Sequence, residues 1–271
     1  MPDVVTHQDI EYAVADGVPL LLDLYLAEDA PGRRPVLVWV HGGGWQAGDK
    51  AEITPGWGEA WAGKGYAAVS INYRLSDQAP FPAPLHDCKA AIRWLRAHAE
   101  EYGLDPERIG VWGSSAGGHL VALLGTTTEV ASLEGDLGNP EESSEVQAVC
   151  AWMAPTHILS MAALQPDMAA PGGVLHKLLG GSPEERGELA RLASPVHHVS
   201  GDEPPFFICH GDADKTVPYQ QALTLYEALR KAEAEVSLYT FQGAGHGRGP
   251  FFANAELMAR VEAFFAEHLS V

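Results

Sequence analysis

Three cysteines in 271 residues, Cys88, Cys150 and Cys209, are too few and too widely spaced for a disulfide framework, and no Cys-x-x-Cys pair is present. All three fall in apolar runs that read as buried helix or strand, so they are expected to be core thiols. No apolar run approaches the ~18 residues needed to cross a bilayer, which argues against a membrane-spanning helix. The start of the chain, Met1-Pro2-Asp3-Val4-Val5-Thr6-His7-Gln8, has neither the basic stretch nor the apolar block of a secretory signal, and a cytoplasmic location is expected. Cations are scarce: 17 Lys and Arg stand against 36 Asp and Glu, a formal net charge of -19. Such a field repels phosphate backbones and anionic lipid, so neither nucleic acid nor membrane is an expected partner. The 12 histidines form no His-Glu-x-x-His or comparable cluster, and the adjacent His197-His198 cannot turn both rings to one point. Neither a metal nor another cofactor is expected. Repeats, coiled-coil heptads and low-complexity tracts are missing as well.

What is present is the composition of a soluble globular chain, 46% hydrophobic and 20% charged, long enough to bury a full core in one domain spanning residues 1–271. Ile10 to Val14 and Leu20 to Leu26 flank the turn signal Asp16-Gly17-Val18-Pro19 and predict an antiparallel hairpin at a sheet edge. After the breaker from Ala30 to Pro35, the run Val36-Leu37-Val38-Trp39-Val40 has the unbroken apolarity of a strand covered on both faces. Tyr66 to Tyr73 predicts a second such strand, Leu85 to Tyr102 a helix, and Ile109 to Trp112 the strand that follows it. Glu145 to Met153, Pro205 to His210 and Val236 to Phe241 supply further strands, with helices over Tyr219 to Ala232 and Asn254 to Leu269. Strand and helix in alternation predict a parallel sheet wrapped by helices. The loop from Glu129 to Glu142 is acidic and reads as solvated surface. Between about 156 and 204 the alternation stops for too long to be a plain connection. Its helical pieces (Ile158 to Leu164, Gly173 to Leu179, Pro183 to Leu192) and apolar side chains Met161, Leu164, Met168 and Leu175 predict a lid-like insertion over a pocket.

Val111-Trp112-Gly113-Ser114-Ser115-Ala116-Gly117-Gly118 joins the end of a buried strand to a helical run through small residues, the layout of a nucleophile elbow. A serine held at positive φ crowds the positions two before and two after it, so Gly113 and Gly117 single out Ser115; around Ser114 those positions are Trp112 and Ala116. His41-Gly42-Gly43-Gly44-Trp45 leaves another buried strand, and its glycines let backbone amides converge where the oxygen of a tetrahedral intermediate becomes negative, with the Ala116 amide completing the hole. His41 is expected to brace this loop, and Trp45 either packs on it or lines the pocket. A serine hydroxyl needs a base, and the base needs an acid to orient it. Gly243-Ala244-Gly245-His246-Gly247 offers His246, and His210 to Pro218 offers Asp212 and Asp214, which physics alone leaves in competition. All three groups leave the carboxyl edge of the sheet, in the chain order serine, aspartate, histidine.

These stretches, together with Asn72-Tyr73-Arg74-Leu75 and Gly117-Gly118-His119-Leu120, resemble the bacterial α/β-hydrolase esterases of the acetylxylan or feruloyl esterase-like and hormone-sensitive-lipase-like groups. The resemblance runs from Val36 to the C-terminal helix, and Ser114 before the nucleophile sets the chain apart from the second group, which carries an acidic residue there. It implies the α/β-hydrolase fold, with a mostly parallel eight-stranded sheet, helices on both faces and a short helical lid. It also implies Asp214 as the acid, with Asp212 a turn residue, and Gly43 and Gly44 with Ala116 as oxyanion donors. The expectation is therefore a cofactor-free serine carboxylesterase acting on small, short-acyl esters, with Ser115, His246 and Asp214 as the triad and Trp45, Met161 and Leu164 against the substrate. Amide hydrolysis of the arylformamidase or peptidase type is the alternative enzyme reading, and a ligand-binding protein on a dead hydrolase scaffold the non-catalytic one. The exposed final strand and helix suggest a surface on which two copies pair as a homodimer.

Overall fold

The computed structural model describes residues 3–28, 32–128 and 130–269; Met1 and Pro2, Ala30 and Pro31 of the breaker, and Glu129 of the acidic loop lie outside them. In chain order the elements are β1 (Val4–Ala15), β2 (Val18–Ala27), β3 (Arg34–Val40), α1 (Trp57–Ala62), β4 (Ala67–Ile71), α2 (Ala83–Ala97), α3 (Ala99–Tyr102), β5 (Leu104–Ser114), α4 (Ala116–Thr126) and β6 (Ala148–Trp152). The second half adds α5 (Ile158–Leu164), α6 (Pro166–Ala169), α7 (Val174–Leu179), α8 (Gly187–Leu192), β7 (Phe206–Gly211), α9 (Gln220–Lys231), β8 (Val236–Phe241), α10 (Arg248–Phe252) and α11 (Ala255–Leu269).

Eight strands form one sheet in the order β1-β2-β4-β3-β5-β6-β7-β8. The β1–β2 hairpin lies at the edge and β2 meets β4 antiparallel, while every pairing from β4 to β8 is parallel. Asp16 and Gly17 turn the hairpin with positive φ at both residues (52° and 78°), the backbone that a two-residue turn between twisted strands requires. Alternation then sorts the strand side chains into two layers. Val36, Val38 and Val40 of β3 join Val69, Val111, α2, α4 and α9 in one core, while Leu37 and Trp39 join Trp112, Trp152, α1 and α11 in the other. In the second layer the indoles of Trp39, Trp112 and Trp152 stand edge to face across three adjacent strands, with centroids 5.3 and 4.8 Å apart. Cys88, Cys150 and Cys209 are buried free thiols, as expected. Among the described residues no helix is long and apolar enough to cross a membrane.

Two expectations need correction, and three short helices were not predicted. The helix predicted over 85–102 breaks at His98, whose backbone leaves helical geometry (φ -104°, ψ 15°) while its ring stacks on Trp94 (4.1 Å) with Nδ1 2.9 Å from the Trp94 carbonyl oxygen, so α2 ends and α3 is a separate turn. The acidic loop is not solvated throughout: Glu134 reaches in to pair with Lys89 (2.7 Å) and Arg93 (2.8 Å), cations that burial on α2 leaves in need of a carboxylate. The short helices α1, α6 and α10 carry too little periodicity to stand out in the sequence.

The register aligns the carboxyl ends of the parallel strands. Val40 lies opposite Gly113, Ser114 opposite Trp152, and Gly211 opposite Phe241. The loops after β3, β5, β7 and β8 consequently emerge side by side.

Candidate active site

Ser115 sits between β5 and α4 with φ 56° and ψ -119°, a strained conformation for a residue with a side chain. The turn is closed by the Ser115 amide donating to Trp152 O (2.9 Å) and the His119 amide donating to Ser115 O (2.9 Å). The small flanks are a steric necessity. A Cβ on Gly113 would stand 2.5 Å from the Gly117 carbonyl group, and one on Gly117 would stand 2.0 Å from Val40 O. That second contact lays the start of α4 directly on the end of β3, beside the glycine loop.

His246, on the loop after β8, places Nε2 3.0 Å from Ser115 Oγ and Nδ1 2.7 Å from Asp214 Oδ2. Asp214, on the loop after β7, is buried, and its Oδ1 accepts the amides of Thr216 (2.8 Å) and Val217 (2.9 Å). Burial pushes this carboxyl group up, but hydrogen bonds to His210 and His246, the His246 charge and the Val217 amide outweigh it and hold the group well below the usual carboxylate range. His210 stands behind it, its Nε2–H shared between Val217 O (2.8 Å) and Asp214 Oδ2 (3.3 Å). Asp212 faces solvent and accepts the Gly243 amide (2.6 Å), a turn contact.

The glycine loop curls through positive φ at Gly43 (109°), Gly44 (60°) and Trp45 (57°), and the Gly43 carbonyl accepts the amides of Gln46 and Ala47 at 3.2 and 3.1 Å. A Cβ on Gly43 would lie 2.0 Å from Ala47 O, so the curl requires glycine there. The amides of Gly43 and Gly44 meet no protein acceptor among the described residues, and that of Ala116 is the first of α4, ahead of any bond within the helix. His41 is a brace: it is buried, contacts Gly42 O through Nδ1 (2.7 Å) and stacks on Tyr73 at 4.3 Å.

Ser115 and His246 open onto a cavity of about 420 Å³. Gly43, Gly44, Trp45, Met153, Met161, Met168 and Val174 form much of its wall, with Gln46, Glu52, Thr216 and Arg248 among its polar members. The 156–204 segment thus contributes Met161, Met168 and Val174, and Trp45 lines the cavity, its indole set edge to face against His119 of α4 (5.1 Å). Leu164 does not belong here: its side chain is 49% exposed and takes no part in the cavity wall. The reason is rotation, because each three-residue step along α5 drifts by about 60° and two steps carry Leu164 about 120° from the buried Ile158. His119, to which sequence reasoning assigned no role, lies four residues after Ser115 on α4 and accepts the Trp45 indole Nε1–H at Nδ1 (3.1 Å). Gln46, Glu52 and Arg248, also in the cavity lining, had no comparable local signal.

A family model described as BD-FAE matches residues 22–229. The probable carboxylic ester hydrolase LipM of Mycobacterium tuberculosis (strain ATCC 25618 / H37Rv) is 34% identical over 248 residues, 88% of this chain and 56% of that protein. The chain therefore spans little more than half the length of the curated relatives it first matches. Among solved structures, a truncated carbohydrate esterase from gut microbiota superposes with a TM-score of 0.88 at 31% identity, covering 98% of this chain and 97% of that one. A propionate-bound thermophilic esterase from the Planctomycetes species Thermogutta terrifontis gives a TM-score of 0.78 at 34% identity, with 96% and 93% covered.

Proposed function

We propose that this chain, which belongs to the BD-FAE family, is a serine carboxylic-ester hydrolase acting on small, short-acyl esters. The observation that carries the reading is the unbroken relay from Asp214 through His246 to Ser115, 2.7 and 3.0 Å, at the floor of an accessible cavity. In this reading His246 Nε2 takes the Ser115 proton as Oγ bonds to the ester carbonyl carbon. Asp214 holds Nδ1–H and stabilises the imidazolium, and the amides of Gly43, Gly44 and Ala116 receive the oxyanion. Collapse of the intermediate breaks the carbon–oxygen bond to the alcohol, which leaves with the proton from His246. Water then attacks the acyl-serine by the same route, giving its proton to His246 and releasing the carboxylic acid and free Ser115. Met161, Met168, Val174 and Met153 make a small apolar wall suited to a short acyl chain, and the polar lining residues Gln46, Glu52 and Arg248 suit a hydroxylated alcohol, in keeping with the carbohydrate esterase among the similar structures.

The test is hydrolysis of aryl esters from acetate to decanoate by the wild type and Ser115→Ala. Expected is a maximum at about two to four acyl carbons, falling by several orders of magnitude in the variant. No turnover at any chain length in a folded wild type, or undiminished turnover by Ser115→Ala, overturns the reading.

A further inference from the structure

The oxyanion hole of the proposed reaction is assembled from two separate pieces of chain, the Gly43-Gly44 loop after β3 and the Ala116 amide at the start of α4. Donors that stabilise developing charge must be held to within tenths of an ångström, so something has to fix one piece against the other. The backbone contact at Gly117 fixes the base of the loop, where Val40 and His41 sit, but not its tip. At the tip is Trp45, a bulky residue at φ 57°, a conformation that persists only where the surroundings over-determine it. Its carbonyl accepts from the Ser76 amide (2.7 Å) and hydroxyl (3.0 Å), and its indole Nε1–H donates to His119 Nδ1 (3.1 Å).

His119 is fully buried one turn along α4 from Ser115, and its ring meets the Trp45 indole edge to face at 5.1 Å. Nδ1 receives an indole that can only donate, so Nε2 carries the proton and donates to Ala193 O (2.7 Å), at the end of α8 in the 156–204 segment. Burial keeps the ring neutral by lowering its pKa to about 4, against the opposing pull of the Ala193 carbonyl. One neutral side chain thus joins the nucleophile helix, the tip of the oxyanion loop and the wall-forming segment. We propose that His119 is a positioning residue for this reaction, holding the Gly43-Gly44 amides in register with Ala116 through the Trp45 indole. The inference rests on the ester-hydrolase reading above.

Imidazole Nδ1 and asparagine Oδ1 occupy the same distance from the backbone, which separates a hydrogen-bonding role from a packing one. Each variant is assayed with a short-chain aryl ester, with active sites counted by the burst of nitrophenol on reaction with paraoxon. His119→Leu fills the space but accepts nothing, and kcat falls by about 100-fold, the scale of displacing a reacting group by an ångström, with KM little changed. His119→Asn still accepts from Trp45 and keeps most of the wild-type kcat. Trp45→Phe removes the donor from the other side, reproduces the kcat loss and stands in should His119→Leu fail to fold. Affinity for an aryl trifluoromethyl ketone, whose serine adduct places an anion in the same hole, weakens in parallel with kcat. A merely structural His119 gives the reverse order, with leucine tolerated and asparagine impaired, or a lowered melting temperature at unchanged kcat per active site; either result overturns the inference. If Ser115→Ala is inert while His119→Leu matches the wild type, this inference alone fails; if Ser115→Ala is active, the ester reading itself is lost.

Discussion

Asp212 and Asp214 stand two residues apart on one loop, and only their surroundings separate them. Asp212 is exposed and holds a turn, whereas Asp214 is buried and gives one oxygen to two backbone amides and the other to His246. Asparagine at 214 keeps the amide contacts but turns an N–H donor toward His246 Nδ1, which forces the ring into the tautomer with Nε2 protonated and unable to accept from Ser115. Asp214→Asn therefore loses about 10⁴-fold in kcat, the scale of the same change in a serine-protease triad. Asp212→Asn retains an acceptor for Gly243 and stays near wild type; equal losses in the two variants refute the assignment. The depressed Asp214 pKa also sets a direction with pH. Its contribution to stability is fully present above the unfolded carboxylate value of ~3.9 and is lost as pH falls below that toward the lower folded value. The melting-temperature gap between wild type and Asp214→Asn, open at neutral pH, accordingly closes on acidification below about pH 4.

The junction of β3 with α4 is a backbone-on-backbone contact that no side chain can relieve. Gly117→Ala must drive Val40 O and the first turn of α4 apart, at a cost of about 3 kcal/mol or more, and kcat falls with stability because Ala116 moves. Gly187 of α8 has nothing within 4 Å of its would-be Cβ, and alanine there is neutral to ~1 kcal/mol stabilising. Denaturant melts of the two variants read the contrast directly, and a neutral Gly117→Ala contradicts the packing described. Legibility at this scale follows from where the determining forces lie. β8 and α5 have the bounds their apolar patterns predict, because alternation and the three-to-four spacing are local. The elbow was legible for a similar reason, the glycines around Ser115 being fixed within five residues. Helices α1 and α10 were not, since Trp57, Trp61 and Phe251 find their partners only across the second core layer. Nor could spacing rank Asp214 above Asp212, or reveal Val174 and Arg248 as cavity wall, because those roles exist only once distant loops meet.

For the molecule as a whole, the sign of its salt response is set by charge imbalance against ion pairing. The buried cations Lys50, Arg74, Lys89 and Arg93 are already matched by Asp23, Asp87 and Glu134 at 2.7 to 2.8 Å, and salt screens such sheltered pairs little. Exposed pairs such as Lys64–Glu262 and Arg260–Glu256 are screened, but each contributes at most ~1 kcal/mol. Against these losses stands the mutual repulsion of a net charge of -19, which opposes the compact state and weakens as the Debye length falls from ~30 Å at about 0.01 M to ~8 Å at about 0.15 M salt. Relief of repulsion outweighs the loss of surface pairs, so the melting temperature at neutral pH rises over this range, equally in sodium and potassium chloride because screening does not distinguish the cations. A flat or falling melting temperature in both salts places the balance with the ion pairs instead, and a rise in one alone signals a bound ion. Turnover of an uncharged ester, which the protein's field neither attracts nor repels, stays constant across the same salts.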